Sequence, residues 1–430
     1  MSNSSQLTSG WQGGSNQRGT ADIIWICFST IFLCLWSMLH LNLPAPTDEY
    51  WTIFRCKARW LLLGVLAPEV PMLMACGQWS SAKRSVKEMQ ELGLTTEQWS
   101  MSHAFFADSG GIILKWDNEE VFPITAKQVA WLVRGGHIDV PNIPLKELRD
   151  KSKADMCTKA LASIQTGWLL VQIVARAAQH LPVTPMELTS AALAMTSLTT
   201  LWFWRDKPLD AQAPYLVDVR SKPGTSHQAA GSQDCDKQQT TIVEVEDQSV
   251  RTGSSAVSLP LDHVEPGIYI SRKWSRRVFR WICQVGLQKP KLDRIPNDRD
   301  PQLLGFKQHA TLGVATAAFA TIHFVDWHFH FATLTEQWIW RANCILMCGL
   351  LAVYGTAEVV ICCRENYSKL GLDTAGGYKL RFPAGLWFFI PGSMYFMARL
   401  LLIGAVFAGM RALPRGAFQE VQWTTFLPHI

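Results

Sequence analysis

The residues of this sequence with the strongest potential for chemistry are ionisable side chains that interrupt long apolar runs. They are Glu69, Arg176, His323, Asp326, His330, Glu358 and Arg399. Because a charge is costly in hydrocarbon, an ionisable residue inside a membrane segment is by default a candidate for function. The catalytic candidates are the carboxyl and imidazole groups, namely Glu69, His323, Asp326, His330 and Glu358.

Glu69 lies between Pro68 and Pro71, in the middle of a predicted membrane helix. A proline removes a backbone donor and bends a helix. A carboxyl group at such a bend is typical of a functional site. The alternative is an interhelical ion pair with Arg176 or Arg399.

His323, Asp326 and His330 occupy positions i, i+3 and i+7, which share one face of a helix. A carboxylate beside an imidazole can act as an acid–base pair or contribute to a metal site. Metal binding is the weaker interpretation, because no HxxxH or HxxHH element occurs elsewhere in the sequence. We therefore predict no metal and no cofactor. The structural alternative is that these polar residues satisfy one another inside a helix bundle or at a membrane edge.

Glu358 and Arg399 lie in two later apolar runs, where either can pair with another charge or anchor a substrate. Several motifs are missing: the sequence has no GxxxxGK[ST] loop, no GxSxG elbow and no kinase signature. It also has no DDxxD cluster to hold magnesium and diphosphate. These absences argue against phosphoryl transfer, serine hydrolysis and diphosphate-ionising terpene chemistry.

The composition indicates a membrane protein. The chain has 430 residues, of which 48% are hydrophobic and 17% charged, whereas soluble proteins carry roughly 25% charged residues. Many of its 19 tryptophans border the apolar runs, as is typical of residues at a bilayer interface. The net charge of +5 lies mostly in polar loops, and nothing indicates nucleic-acid binding. The 11 scattered cysteines form no CxxC pair and predict neither disulfides nor zinc.

A helix needs about 20 mostly apolar residues to cross a bilayer. Seven segments approach this length: Ile23–Leu43, Trp60–Trp79, Ala160–Ala178, Pro185–Trp204, Thr311–Phe331, Trp338–Cys362 and Trp387–Met410. The sequence therefore predicts an all-α polytopic membrane protein with about seven transmembrane helices. Its predicted parts are a disordered tail (1–20), membrane helices (21–79, 160–204, 311–412), a soluble cap (80–159), a cytosolic loop (205–310) and a C-terminal tail (413–430).

Lysine and arginine accumulate in the loops that seven spans place beside the N-terminus. This distribution favours a cytoplasmic N-terminus and a lumenal C-terminus, although Arg55, Lys57 and Arg59 argue the other way. Within the cap, apolar patches on both sides of Asp117-Asn118 predict a short β-hairpin. Thr125 is then positioned to cap a following helix.

The long loop has two distinct parts. Residues 220–262 are polar with few aromatics, and we interpret them as a disordered linker. Residues 268–288 form a basic amphipathic pattern, which predicts a helix lying on anionic lipid headgroups. The alternative for this helix is packing on the protein's own cap.

Five segments together carry a resemblance. They are GTADIIW at 19–25, APE at 67–69, AFFADSGG at 104–111, DKSKAD at 150–155 and RALPRGAFQEVQWTTFLPHI at 411–430. They resemble a large, mostly uncharacterised family of multi-pass integral membrane proteins of filamentous fungi. That family is in turn similar to membrane-bound meroterpenoid terpene cyclases of the ascofuranone and macrophorin type. No catalytic residue can be carried over from those cyclases.

The resemblance implies a terpene cyclase-like enzyme of secondary metabolism that cyclises a lipophilic prenylated substrate after protonating it. Such chemistry needs a carboxylic acid kept protonated in a dry site, and aromatic walls that shield a carbocation. Glu69, Asp326 and Glu358 are the candidate acids. The candidate walls are Trp168, Trp202, Phe324, Trp327 and Tyr354. A transporter and a non-catalytic scaffold or sensor remain alternatives. The expected location is the endoplasmic reticulum or another internal membrane.

Overall fold

The computed structural model describes residues 7–14, 17–45, 47–116, 120–150, 153–208, 214–218, 294–295, 297, 306–329, 331–369 and 384–423. This part of the chain is predominantly helical. Its α-helices are α1 (Thr20–Met38), α2 (Tyr50–Leu66), α3 (Glu69–Glu91), α4 (Met101–Asp108), α5 (Ala126–Arg134), α6 (Leu145–Asp150), α7 (Lys153–Ala178), α8 (Pro185–Phe203), α9 (Phe306–Ile322), α10 (Leu334–Lys369) and α11 (Ala384–Gly409). Its strands are β1 (Leu7–Ser9), β2 (Ile112–Trp116), β3 (Glu120–Ile124), β4 (Tyr215–Asp218) and β5 (Ala412–Pro414). The predicted linker (220–262) and basic amphipathic helix (268–288) lie outside the described residues.

Four of these helices, α1, α7, α10 and α11, are long and apolar enough to cross a membrane, and the bent pair α2–α3 would be a fifth span if it is counted as one. Their outer faces expose large apolar side chains, including Trp25, Phe28, Ile164, Val174, Ile345, Leu401 and Phe407. Apolar surface of this extent indicates contact with a partner or with lipid. The architecture is consistent with the predicted all-α membrane class.

Helix α8 is the centre of the bundle. Of its 19 residues, 15 are buried, and it contacts α1, α3, α7, α9 and α11. Alanine, serine and threonine dominate the helix, and such small side chains let neighbouring helices approach closely. A capping box starts it: the Thr184 N–H and hydroxyl both donate to Glu187 Oε2, each at 2.9 Å. This box places the Glu187 carboxylate inside the bundle.

Helices α2 and α3 meet at an angle of 110°. Ala67 is non-helical, with φ −146° and ψ 71°, and Pro68 precedes the first residue of α3, Glu69. The predicted span Trp60–Trp79 is therefore interrupted, because the proline breaks the helix instead of only bending it. Before α2, the Leu43 N–H bonds to Ser109 O of the cap at 2.9 Å, and α3 packs on α4 and α5 of the cap. The pair thus begins and ends at the same end of the bundle.

The cap contains the predicted hairpin. Strands β2 and β3 pair antiparallel, and β4 adds to β2 in parallel. Thr125 caps α5, with its N–H donating to Gln128 Oε1 at 2.8 Å. Both predictions are confirmed. A buried cluster including Met72, Phe105 and Val129 joins α3 to the cap.

The two chain termini meet. Strand β1 pairs antiparallel with β5, so that Leu7 opposes Pro414 and Ser9 opposes Ala412. The predicted disorder of residues 1–20 is therefore wrong for their described part, because the pairing with β5 fixes β1. The start of α1 and the end of α11 therefore lie at one end of the bundle.

Arg176 fixes the C-terminal segment. It is buried, and its guanidinium donates to the carbonyl oxygens of Pro182, Gly416, Ala417 and Gln419 at 2.8 to 3.2 Å. A planar group with five N–H donors suits a cluster of carbonyls. Arg176 is thus saturated by backbone, and the described part of the segment 413–430 packs on the bundle.

The predicted span Thr311–Phe331 is shorter than expected. Helix α9 ends at Ile322, and a short 3-10 turn follows at Val325–His328, in which Asp326 has φ −88° and ψ 21°. His323 and Asp326 therefore do not share a helical face. The paired aromatic rings of Phe324 and Trp327 stack beside this turn.

Candidate functional site

Glu69 begins α3, at the break between α2 and α3. Its Oε1 accepts a hydrogen bond of 2.6 Å from the Tyr395 hydroxyl of α11. Arg399, one turn further along α11, acts electrostatically on the same carboxyl group. The break thus presents a carboxyl group to the middle part of a helix that is apolar enough to span a membrane.

Arg399 is fully buried, yet its hydrogen bonding is incomplete. Its Nη2 donates to Val65 O at 2.8 Å, and its guanidinium lies 5.0 Å from the centre of the Phe319 ring. Its Nε and Nη1 are buried without a partner in the described part of the chain. No ion pair with Glu69 is formed among the described residues. The guanidinium therefore keeps two nitrogen atoms, which carry three N–H hydrogens, for another acceptor.

His323 is also buried and half paired. Its Nδ1 is 3.0 Å from Phe319 O. Because a carbonyl oxygen only accepts, Nδ1 carries the hydrogen, and Nε2 of the neutral ring is an acceptor. That Nε2 has no partner among the described residues. Arg399 acts electrostatically on this imidazole, so the two groups lie in one region of the bundle.

Two further residues of α10 complete this region. Trp340 lies with its ring 6.3 Å from that of His323, and its Nε1 donor is buried without a partner in the described structure. Asn343 donates from Nδ2 to Ala398 O at 2.9 Å. Its Oδ1 is also buried without a hydrogen-bond partner among the described residues. His323, Trp340, Asn343 and Arg399 are hereafter the interior polar cluster.

Asp326 lies beside this cluster, in the 3-10 turn after α9. It is buried, and its Oδ2 has no partner among the described residues. It interacts electrostatically with Glu187, which in turn pairs with Arg18. Charged residues thus continue from the interior polar cluster toward the end of the bundle where the termini meet.

The structure separates the other predicted site residues from this region or leaves them out. His330 lies outside the described residues, and nothing is described of the Glu358 side chain within α10. The proposed ion pair between Glu69 and Arg176 is wrong, because Arg176 binds the C-terminal segment. The candidate walls Trp168 and Trp202 are about half exposed on the outer surface. They therefore do not enclose the carboxyl groups of Glu69 and Asp326.

Sequence reasoning missed Trp340, Asn343, Tyr395 and Glu187. Glu187 had a local signal, since Thr184 and Glu187 form a capping-box pattern. Asn343 is a polar residue inside an apolar run, and it could have been flagged on that ground. In the described residues no group of three or more His, Cys, Asp or Glu side chains is arranged to hold a metal.

Another buried cation lies between the bundle and the cap. The Lys207 ammonium group donates to Asn42 Oδ1 at 3.0 Å and to Gln78 Oε1 at 2.9 Å, and it lies 4.9 Å from the Trp204 ring. Burial lowers the pKa of Lys207 to about 7, while the Asp108 carboxylate opposes this shift. Lys207 therefore titrates near neutral pH, although its hydrogen bonds are satisfied.

Apolar helices around a polar interior define the class: an α-helical protein with several helices able to cross a membrane. The chain belongs to a family of unknown function (DUF8562), which matches residues 1–242. No curated protein and no solved structure matches the chain. The matched residues include Glu69 and Glu187, whereas the interior polar cluster lies beyond them.

Proposed function

We propose that the chain crosses the membrane six times and that α2–α3 is a re-entrant helical pair. One end of the bundle is marked by β1, β5 and the ion pair of Arg18 with Glu187. The opposite end is marked by the cap, where Leu43 bonds to Ser109 and where Lys207 is buried. Helices α1, α7 and α8 connect these two ends in alternating directions.

The remaining crossings are α9, α10 and α11. Leu312, in the first half of α9, lies in the buried cluster shared with the cap, and the turn after α9 carries Asp326 toward Glu187. Helix α10 begins beside the end of α11, where Glu336 pairs with Arg411, and runs antiparallel to α11. Six crossings agree with termini on one side, and α2–α3 adds no crossing because both of its ends adjoin the cap.

We propose that the protein is a membrane-embedded acid–base enzyme for a lipophilic substrate, of the terpene cyclase-like kind that the resemblance implies. The observation that carries this proposal is the Glu69 carboxyl group. A re-entrant break delivers it to the bundle interior, where Tyr395 and Arg399 surround it.

In the proposed reaction, Glu69 is the acid. Its O–H bond breaks as the proton forms a C–H bond with a terminal olefin, or an O–H bond with an epoxide oxygen. The π electrons of a neighbouring olefin then close the ring. The final cation returns a proton to the carboxylate, so the product is an isomer of the substrate. Tyr395 and Arg399 stabilise the intermediate carboxylate.

Aromatic rings adjacent to the interior polar cluster support a cationic intermediate. Phe319, Phe331 and Trp340 are buried in the same hydrophobic cluster. Their ring faces attract positive charge. Asp326, with its unpartnered Oδ2, is the second candidate acid. The bilayer and anionic headgroups at 268–288 remain the proposed partners, and an internal membrane remains the proposed location.

Transport is the second candidate function. It is favoured by the succession of buried charges from Glu69 and Arg399, through Asp326, to Glu187 and Arg18. Such a succession is typical of ion or proton pathways. A transporter would move a ligand between the two sides without altering its mass.

The test is a product assay in membranes of a heterologous fungal host fed a farnesylated phenol and its terminal epoxide. We expect the wild-type chain to form a cyclised isomer of unchanged mass. Glu69→Gln should lower its formation by roughly a hundredfold or more, the usual contribution of a general acid. Asp326→Asn shows whether the second carboxyl group participates.

Glu91→Gln is the matched control, because Glu91 ends the same helix that Glu69 begins and is solvent-exposed. It should retain full activity. No product from either substrate, with correctly inserted wild-type protein, would reject this cyclase proposal and favour transport. Equal activity of Glu69→Gln and wild type would reject Glu69 as the acid.

A further inference from the structure

The interior polar cluster combines unpaired donors and unpaired acceptors. Within the part of the chain that the structure describes, the donors without a partner are Nε and Nη1 of Arg399 and Nε1 of Trp340. The acceptors without a partner there are Nε2 of His323 and Oδ1 of Asn343. All four side chains are at least nine-tenths buried. Buried polar groups are almost always hydrogen-bonded, so several unpaired ones in one place need an explanation.

The contacts show that these residues form one cluster. The His323 ring is 5.4 Å from the Phe319 ring and 6.3 Å from the Trp340 ring. Arg399 lies 5.0 Å from the same Phe319 ring. Asn343 bonds to the carbonyl of Ala398, the residue before Arg399. The unpaired atoms therefore belong to the place where α9, α10 and α11 meet.

The combination of unpartnered donors and unpartnered acceptors indicates which chemical groups a ligand of this cluster would carry. An inorganic anion would use only the donors and leave Nε2 and Oδ1 unpaired. A hydroxyl group both donates and accepts, and two hydroxyl groups can satisfy most of the set. The surroundings are apolar, with Phe319, Met347 and Leu402 in the same cluster. They suit an alkyl or prenyl chain.

We infer that the interior polar cluster binds the hydroxylated head group of an amphiphile whose apolar chain lies in the bundle. This inference deepens and rests on the proposed function, since it assigns the substrate class of the same site. Arg399 and Trp340 donate to the oxygens of the head group, and His323 and Asn343 accept from its hydroxyl hydrogens.

The test is competitive photo-crosslinking to the purified full-length protein in lipid nanodiscs. The probe is dodecylresorcinol with a diazirine in its alkyl chain, and crosslinked peptides of α9 and α10 are mapped by mass spectrometry. Three unlabelled competitors share one chain length: dodecylresorcinol, its dimethyl ether and dodecylbenzene. The head group of dodecylresorcinol offers donors and acceptors, that of the dimethyl ether offers acceptors only, and dodecylbenzene offers neither.

We expect dodecylresorcinol to compete at about tenfold lower concentration than the other two, the effect of roughly one to two hydrogen bonds. Trp340→Phe should weaken its binding several-fold, because it removes a donor that has no partner among the described residues. Trp338→Phe is the matched control on α10, since Trp338 is exposed, and it should bind like wild type. Glu69→Gln should retain binding while losing product formation.

Two outcomes overturn the inference. Equal competition by all three compounds would show binding by the apolar chain alone. Unchanged binding in Trp340→Phe would show that a trapped water already satisfies the indole. The ligand series uses the wild-type protein, so it stays decisive even if the variant fails to insert. Head-group selectivity without any product would reject the proposed reaction and leave the binding site standing.

Discussion

Two buried tryptophan–histidine pairs, one in the cap and one in the bundle, differ in their hydrogen bonding. In the cap, Trp99 stacks on His103 with ring centres 5.9 Å apart. Trp99 Nε1 donates to Ser85 Oγ at 3.1 Å. His103 Nδ1 accepts from Ser100, and Nε2 donates to Ile143 O at 2.9 Å. Burial lowers the pKa of His103, so the ring stays neutral in this role.

In the bundle, Trp340 and His323 lie 6.3 Å apart and are equally buried. Trp340 Nε1 and His323 Nε2 are unpaired among the described residues. Burial alone therefore does not identify a functional residue in this protein. The polar atoms of the cap pair are hydrogen-bonded within the protein, whereas the bundle pair has polar atoms without a partner in the described structure. The site is indicated by buried polar atoms that lack a hydrogen-bond partner, because such atoms are rare in folded proteins.

Two buried arginines show the same contrast and give the largest predicted effect. Arg176 donates to four backbone carbonyl groups. Arg176→Met should lower the free energy of unfolding by about 3–5 kcal/mol, because the buried carbonyls lose a charged donor. Denaturation in mixed micelles measures this change. Limited trypsin digestion should also cleave after Arg415 much faster, since the C-terminal segment is released.

The matched variant is Arg399→Met. Among the described residues, Arg399 makes a single hydrogen bond, to Val65 O, so its replacement should destabilise the fold much less than Arg176→Met. It should nevertheless impair the proposed reaction. Equal destabilisation by the two variants would contradict the division into structural and functional arginines.

The second prediction concerns pH and the buried lysine at the cap. The pKa of Lys207 is lowered from 10.5 to about 7, so below pH 7 the ammonium group is charged in both states and its burial is fully unfavourable. Above pH 7 the unfolded chain binds more protons, and stability rises until about pH 10.5. Between pH 7 and 9 the gain should be about 2 kcal/mol.

Thermal unfolding in detergent at several pH values measures this gain, and Lys207→Met should abolish it. The difference between the two curves isolates Lys207 from other titrating groups. A wild-type curve parallel to that of Lys207→Met would show that the ammonium group is not destabilised by its burial.

Local sequence signals predicted a large part of the fold. The predicted spans Ile23–Leu43, Ala160–Ala178 and Pro185–Trp204 lie close to α1, α7 and α8, because about 20 apolar residues form a helix whichever way they face. The hairpin and the Thr125 cap were predicted from turn and capping chemistry. These features depend on residues that are near one another in the chain.

The remaining features depend on distant residues. The β1–β5 pair joins two strands of three residues from opposite ends of the chain. Strands this short have no sequence periodicity from which their pairing could be predicted. Whether Pro68 bends a helix or breaks it is decided by what surrounds it. Glu69, His323, Asp326 and Arg399 were predicted as site residues from the cost of intramembrane charge. Trp340 was not, because its unpaired indole is visible only once its neighbours are placed.

The smallest predicted effect is a direct comparison of the two tryptophans. Trp99→Phe and Trp340→Phe remove similar volumes from buried positions. The cavities that they leave should therefore lower the free energy of unfolding by similar amounts. Trp99→Phe also leaves the buried Ser85 hydroxyl without its donor. We expect it to lower the free energy of unfolding by about 1–2 kcal/mol more than Trp340→Phe. Trp340→Phe removes a donor that has no partner among the described residues, and this offsets part of the free energy lost through the cavity. Denaturation of both variants in the same micelles measures the difference. Equal losses would mean that the Trp340 indole is hydrogen-bonded in the folded protein, and the contrast between the two pairs would then be lost.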